Sequence, residues 1–182
     1  MACTLTLAGR GTGCKDALGG IKRIYIGEWS EGIWETVGAT TAGTIDNSTA
    51  ALTVYTYDMT RGSGSLTQTV TSNIEAGTVY FDQVLSATFN KLDAADIVEI
   101  SNITKGRMAV IVQDTNDNYF VMGNKNGVEA SGGTVQTGTA AGDQNGFTLE
   151  LSAQEVSAAP FLDFSGATDT AGTGLVTVTA AP

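Results

Sequence analysis

The sequence predicts a mainly β protein: an antiparallel β-barrel or β-sandwich with one flanking α-helix and extended loops or arms. Three observations lead there. Thr, Gly and Ala abound while only two prolines occur in 182 residues, the composition of strands joined by many turns. Several segments alternate apolar and polar residues with a period of two. Only one stretch, Asp93–Thr104, carries apolar residues at convincing helical spacing.

The length suits one domain with a sizeable core plus arms. Residues 1–20 read as an N-terminal arm, 21–160 as the β-barrel domain with its helix at 93–104, and 161–182 as a C-terminal arm. Within the first arm, TLTLA at positions 4–8 is a short strand or extended segment, followed by the Gly-rich stretch Gly9–Gly13. Ile21–Gly27 is a strand with Ile24 and Ile26 on one face. Thr36–Ala50, made largely of small and polar residues, is a loop. Ala51–Met59 is β-branched and aromatic, hence a strand. Arg61–Ser65 (RGSGS) is a turn, and Leu66–Ile74 alternates again.

Thr78–Asn90 has the clearest strand pattern. Val79, Phe81, Leu85, Ala87 and Phe89 share one face, with Thr78, Tyr80, Asp82, Ser86, Thr88 and Asn90 on the other. Thirteen residues in extended conformation span roughly 43 Å. That is long for a compact domain and suits a sheet that continues across subunits, or a projecting hairpin. In the helix, Asp93 is the N-cap, Asp96 sits in the first turn, and Ile97, Ile100 and Ile103 form the apolar stripe. Lys105 and Gly106 are the expected stop.

Met108–Gln113 and Tyr119–Met122 flank Asp114–Asn118 (DTNDN), whose residues tolerate the backbone of a hairpin turn. Asn124–Gly142 is Gly-rich with few large apolar groups and reads as a loop or arm. Gly146–Ser152 returns to strand, and Leu175–Thr179 is a weak strand in a tail that reads as a mobile end or, in preference, an arm docked on a neighbour.

Hydrophobic residues make up 42% and charged residues 15%, which excludes a disordered chain. No apolar run approaches the roughly 18 residues of a membrane span. The opening MACTLTLAGRGTGC lacks the basic-then-apolar order of a signal peptide, so a cytoplasmic origin is expected. The formal charge is −10, which repels nucleic acid. All nine Lys and Arg lie at or before Lys125, and six carboxylates follow it without a cation. They form either an acidic face or a merely solubilising surface.

The chain contains no histidine, which excludes Ser-His-Asp and Cys-His catalysis and removes the commonest metal ligand. Cys3 and Cys14 cannot make a four-ligand zinc site, and in a reducing compartment they read as free thiols. DTNDN starts like a calcium loop, but Tyr119 stands where its Gly should be and Lys125 where its final acid should be. Gly9–Gly13 lacks the Lys-Ser/Thr ending of a phosphate loop. No carboxylate pair stands out for glycosidase chemistry. The chain therefore reads as a non-enzyme with no catalytic residues, metal or cofactor. Trp29 and Trp34 flank Gly32; exposed, they would anchor a contact, and buried, they would be ordinary core.

One long segment resembles a known family. The order VIVQDTNDNYFVMGNKNGVEASGGTVQTGTAAGDQNGFTLELSAQE, from Val110 to Glu155, and the opening CTLTLAGRGTGCKDALGGIKRIYI are similar to tail tube proteins of tailed bacteriophages. These motifs describe turns and strands rather than chemistry. The resemblance implies a β-barrel flanked by a helix and a long hairpin loop, with six copies in a ring whose inner strands join, and rings stacked into a tube. DNA would pass through without specific binding. Partners would be further copies of the chain and other tail proteins such as the tape measure, sheath or tail terminator, with no membrane involved. The protein would be assembled in the host cytoplasm and reside in the virion tail.

On that basis Glu75 and Asp82 are the expected lumen-facing residues. Trp29, Trp34 and Arg61 are the expected inter-subunit contacts, and Thr36–Ser65 would include a loop reaching the next ring. An acidic bore would let phosphates slide past. Two other readings predict different behaviour. Another virion β-protein, such as a head–tail joining or capsid decoration protein, would form rings without stacking. A ligand-binding surface β-sandwich would be a stable monomer with an exposed aromatic patch.

Overall fold

The computed structural model of the protein describes residues 9–11, 15–34, 42–45, 51–163 and 176–179. In chain order the strands and helix are β1 (Ile21–Glu28), β2 (Thr44–Ile45), β3 (Leu52–Asp58), β4 (Gly64–Asn73), β5 (Thr78–Asn90), α1 (Ala94–Ile103), β6 (Met108–Asp114), β7 (Tyr119–Met122), β8 (Glu129–Gln136), β9 (Gly146–Glu155), β10 (Phe161–Leu162) and β11 (Val176–Thr179). They form two sheets. One has seven strands in the order β11-β3-β1-β6-β7-β10-β2, and the other four in the order β4-β5-β9-β8. The mainly β expectation holds, in a sandwich-like arrangement. Among the described residues neither sheet closes into a barrel.

The core between the sheets joins Ile24 and Ile26 of β1, Val110 and Val112 of β6, Leu85 and Ala87 of β5, and Leu149 and Leu151 of β9. A second core lies on the opposite face of the larger sheet, where Tyr25, Ile111 and Val121 pack with Ile33, Trp34, Ile45 and Leu52. β6 is central to that sheet and is buried on both faces. This explains its unbroken apolar run: alternation is lost when neither face meets water.

Thr78–Asn90 forms one strand along its whole predicted length, with Leu85 and Ala87 buried on the predicted face. The DTNDN turn also forms. The backbone N–H of Asp114 donates to the carbonyl of Asn118, and Asp117 adopts a left-handed φ of 61°. In α1, Asp93 and Asp96 make a reciprocal capping box. Two details of the helix differ from expectation. Ile97 is 58% exposed while Ile100 and Ile103 are half-buried, and the C-cap is Thr104 in an ordinary right-handed conformation, without a left-handed glycine.

The larger correction concerns Asn124–Gly142. Instead of a loop throughout, it contains β8, which pairs with β9 from Glu129↔Ser152 to Gln136↔Gly146 with a register shift between Ala130 and Gly132. The glycines serve close approach: a Cβ on Gly133 would lie 2.7 Å from the Thr148 carbonyl oxygen. Thr44–Ile45 is likewise a short strand within the predicted Thr36–Ala50 loop, whose flanks, 35–41 and 46–50, lie outside the described residues, as does the segment 4–8. In the C-terminal segment, β10 pairs with β7 and β2, and β11 runs parallel to β3 of the same chain. Those two strands belong to the larger sheet of their own chain.

Candidate functional site

The most distinctive surface is the outer side of the β4-β5-β9-β8 sheet. Register places Thr67, Thr69 and Thr71 of β4 beside Val84, Asp82 and Tyr80 of β5, and Ser86 and Thr88 of β5 beside Glu150 and Thr148 of β9. Alternation fixes what faces outward, because Leu85, Ala87, Leu149 and Leu151 occupy the core side. The outer side is therefore rich in hydroxyls, with Val84 and Tyr80 among them, and bears the carboxylates of Asp82, Glu150 and Glu129, the last paired with Arg107 at 2.8 Å. The four strands contain no Lys or Arg. Among the described residues, β4 and β8 each pair on one side only, so this sheet ends in two open edges.

Buried polar groups fasten the sheet to the rest of the molecule. Gln83 accepts the Gly123 N–H at 3.1 Å and donates to the Ser157 carbonyl at 3.4 Å. The buried Glu155 carboxylate accepts the backbone N–H groups of Lys125 and Asn126 at 2.8 and 2.7 Å. These contacts hold the turn after β7 in place, and each polar group has a partner, as burial demands. The pattern of Thr78–Asn90 alone did not give Gln83 this role. Its one signal was a single amide interrupting an otherwise apolar face.

The predicted site residues are spread over the molecule. Glu75 lies in the exposed turn between β4 and β5, and Asp82 lies on the outer side of the same hairpin. Trp34 is buried in the second core, and Trp29 is half-buried against it. The Trp29 ring backs onto Gly127, and the Arg107 guanidinium sits 5.7 Å from its centroid. Trp34 is thus ordinary core, and the exposed two-tryptophan anchor does not form within the chain. Arg61 is exposed in the turn between β3 and β4.

The hairpin turn uses its acid internally. Asp114 accepts from the backbone N–H groups of Asn116 and Asn118, at 2.8 Å each, and from both of their side-chain amides. Partial burial works to raise the Asp114 carboxyl pKa, but the hydrogen bonds from Asn118 and Asn116 together outweigh it and hold the group below its ordinary value. Such a carboxylate adds stability that is fully present above its unfolded value, near pH 4, and is lost as pH falls through the lower folded value. Asp114→Ala should therefore lower the melting temperature at neutral pH, with the gap from wild type closing as pH falls below about 4. A gap that stays constant into strong acid would show that the charge contributes nothing to the turn.

Beside α1, burial followed by the hydrogen bond to Glu99 pushes the Tyr57 hydroxyl well above its usual range. Tyr57 stays a neutral donor to the Glu99 carboxylate and links the helix to β3. No helix among the described residues is long and apolar enough to cross a membrane. Comparisons with protein-family models, with curated proteins and with solved structures returned no match.

Proposed function

We propose that this chain is a tail tube subunit of a bacteriophage, assembling into rings that stack into a DNA conduit. The observation that supports the reading is the hydroxyl- and carboxylate-bearing side of the β4-β5-β9-β8 sheet, whose own strands carry no Lys or Arg, bounded among the described residues by two open edges. Open edges invite pairing with other chains. Joining β4 of one copy to β8 of the next, around a closed ring, removes every such edge and makes one continuous inner surface. With Asp82 and Glu150 lining it, that surface repels phosphates, and Arg107, the one cation that reaches it among the described residues, is already paired with Glu129 of β8. The role is passive, with the sheet giving shape and sign of charge rather than chemistry. A ring of six, and contacts with tape measure, sheath or tail terminator proteins, follow from the family resemblance and belong to the same proposal.

Negative-stain electron microscopy of the purified chain at increasing concentration tests it. Rings or tubes with a central channel are expected. Uniform monomers at the highest concentration would sink the proposal, and rings that never stack would favour a joining or decoration protein.

A further inference from the structure

β1 begins at Ile21, which pairs with Asp114 at the end of β6. Upstream of Ile21, β6 has ended and its chain turns back through DTNDN, so residues 18–20 lie beyond the sheet. Side chains of the turn hold them instead. Asn116 meets the Leu18 backbone twice: its Oδ1 accepts the Leu18 N–H and its Nδ2 donates to the Leu18 carbonyl, both at 2.9 Å. One amide side chain thus supplies the donor and the acceptor that a strand partner would. The Thr115 hydroxyl donates to the same carbonyl at 2.9 Å, and its backbone N–H donates to the Gly20 carbonyl at 3.2 Å. Asp114 steadies the arrangement by accepting the Asn116 backbone N–H at 2.8 Å and its Nδ2 at 3.1 Å.

This attachment is polar and lies at the surface. Residues 15–20 are exposed throughout, with Leu18 at 70%. Water competes for hydrogen bonds made there, and little apolar area is buried in support of them. A segment held in this way opens locally while the core stays folded. Gly19 and Gly20 supply a joint. Gly20 has a φ of 114°, a conformation that favours glycine, and a Cβ on Gly19 would meet nothing within 4 Å. Gly20 and Ile21 line two cavities at once. One, of about 410 Å³, includes Met59 and Arg61, and the other, of about 290 Å³, includes Leu66 and Val112. The segment is the partition between them.

We infer that residues 15–18 form a hinged strap, latched by Asn116 and Thr115 of the DTNDN turn and swinging at Gly19–Gly20. When latched, the strap divides the two cavities and covers the end of the core at Ile21. When released, it joins them and gives solvent a path to Ile21 and Val112. The fold survives the opening, because β1 keeps its pairs with β3 and β6. The turn thereby gains a role beyond reversing the chain: Asn116 is the latch, and Asp114 is a positioning residue that acts through it. The inference rests on these hydrogen bonds and stands whether or not the chain assembles into tubes.

Hydrogen exchange at the Leu18 amide, followed by NMR on the full chain, tests the latch, because the acceptor of that N–H is the Asn116 side chain. Asn116→Ala should speed exchange at Leu18 roughly fivefold or more, while the amides of β5 exchange as in wild type. Asn118→Ala is the control. Its side chain also donates to Asp114, at 3.0 Å, but bonds to that carboxylate rather than to the strap, so Leu18 should keep its protection. Gly19→Ala, which has room for the added methyl, should slow exchange at Leu18 roughly two- to fivefold by narrowing the freedom of the open strap. Unchanged exchange in Asn116→Ala, or an equal rise in Asn118→Ala, overturns the latch, and no effect of Gly19→Ala overturns the hinge. Leu18 exchanging in step with β5, or an Asn116→Ala chain that does not fold, would make the segment part of the global fold and overturn the strap altogether.

Discussion

Replacing Gly146 with alanine is expected to destabilise the protein by about 3 kcal/mol or more, at or above the top of the usual range for overpacking. Gly146 opens β9 and pairs with Asn90 of β5 on one side and Gln136 of β8 on the other. A Cβ added there would lie 2.0 Å from the Phe89 carbonyl oxygen and 3.0 Å from the carbonyl carbon. Both are backbone atoms of an adjoining strand, so no side chain can swing aside. β9 would have to separate from β5 at the end where Phe147 stacks on Phe89, ring centroids 4.7 Å apart. Chemical denaturation should show a lower midpoint for Gly146→Ala. Gly142→Ala is the control: a Cβ there meets nothing within 4 Å, and the change should stay within about 0.5 kcal/mol. Equal effects at the two positions would show that the β5–β9 pairing at Gly146 is looser than described.

The same residue shows what the sequence could and could not reveal. Period-two alternation made Thr78–Asn90 and Gly146–Ser152 legible, because each has one face in the core and the other in water. It could not reveal β8. EASGGTVQ has little intrinsic strand preference, and its glycines are explained by a bulge and by the nearness of Thr148, facts of pairing that a single strand does not carry. The helix was legible from Asp93 and Asp96, since capping is local, whereas the stripe failed at Ile97, whose exposure depends on how α1 sits over β3. Asp82 was readable as outward-facing from parity alone. That the small sheet's strands carry no Lys or Arg, and that it ends in two open edges among the described residues, became visible only once β8 joined β4, β5 and β9. Two tryptophans five residues apart fitted an anchor or ordinary core equally, because burial of Trp34 is decided by contacts with Ile45, Leu52 and Ile111 that local pattern does not carry.

Leu85→Ala is expected to cost about 3 kcal/mol, within the range of 2–5 found for truncating fully buried leucines. Leu85 is fully buried at the centre of β5 and is paired in register with Leu66 of β4 and Leu151 of β9. Its side chain meets the inner face of the large sheet, in the core that includes Ile24 and Val110. Shortening it removes contacts from both sheets and leaves a cavity that paired strands cannot collapse to fill. Within one copy this core face is the small sheet's main apolar contact, because its other side is hydroxyl and carboxylate. The loss should therefore appear as a lower denaturation midpoint with an unchanged denaturant slope. Ile74→Ala should change the stability of the single chain by no more than about 0.5 kcal/mol, because the side chain is solvent-exposed before and after. A cost below about 1 kcal/mol for Leu85→Ala would mean that the two sheets are not packed through this residue. The small sheet would then need neighbouring copies to stand at all. A full cost at Leu85 with none at Ile74 would place the fold's stability inside the chain.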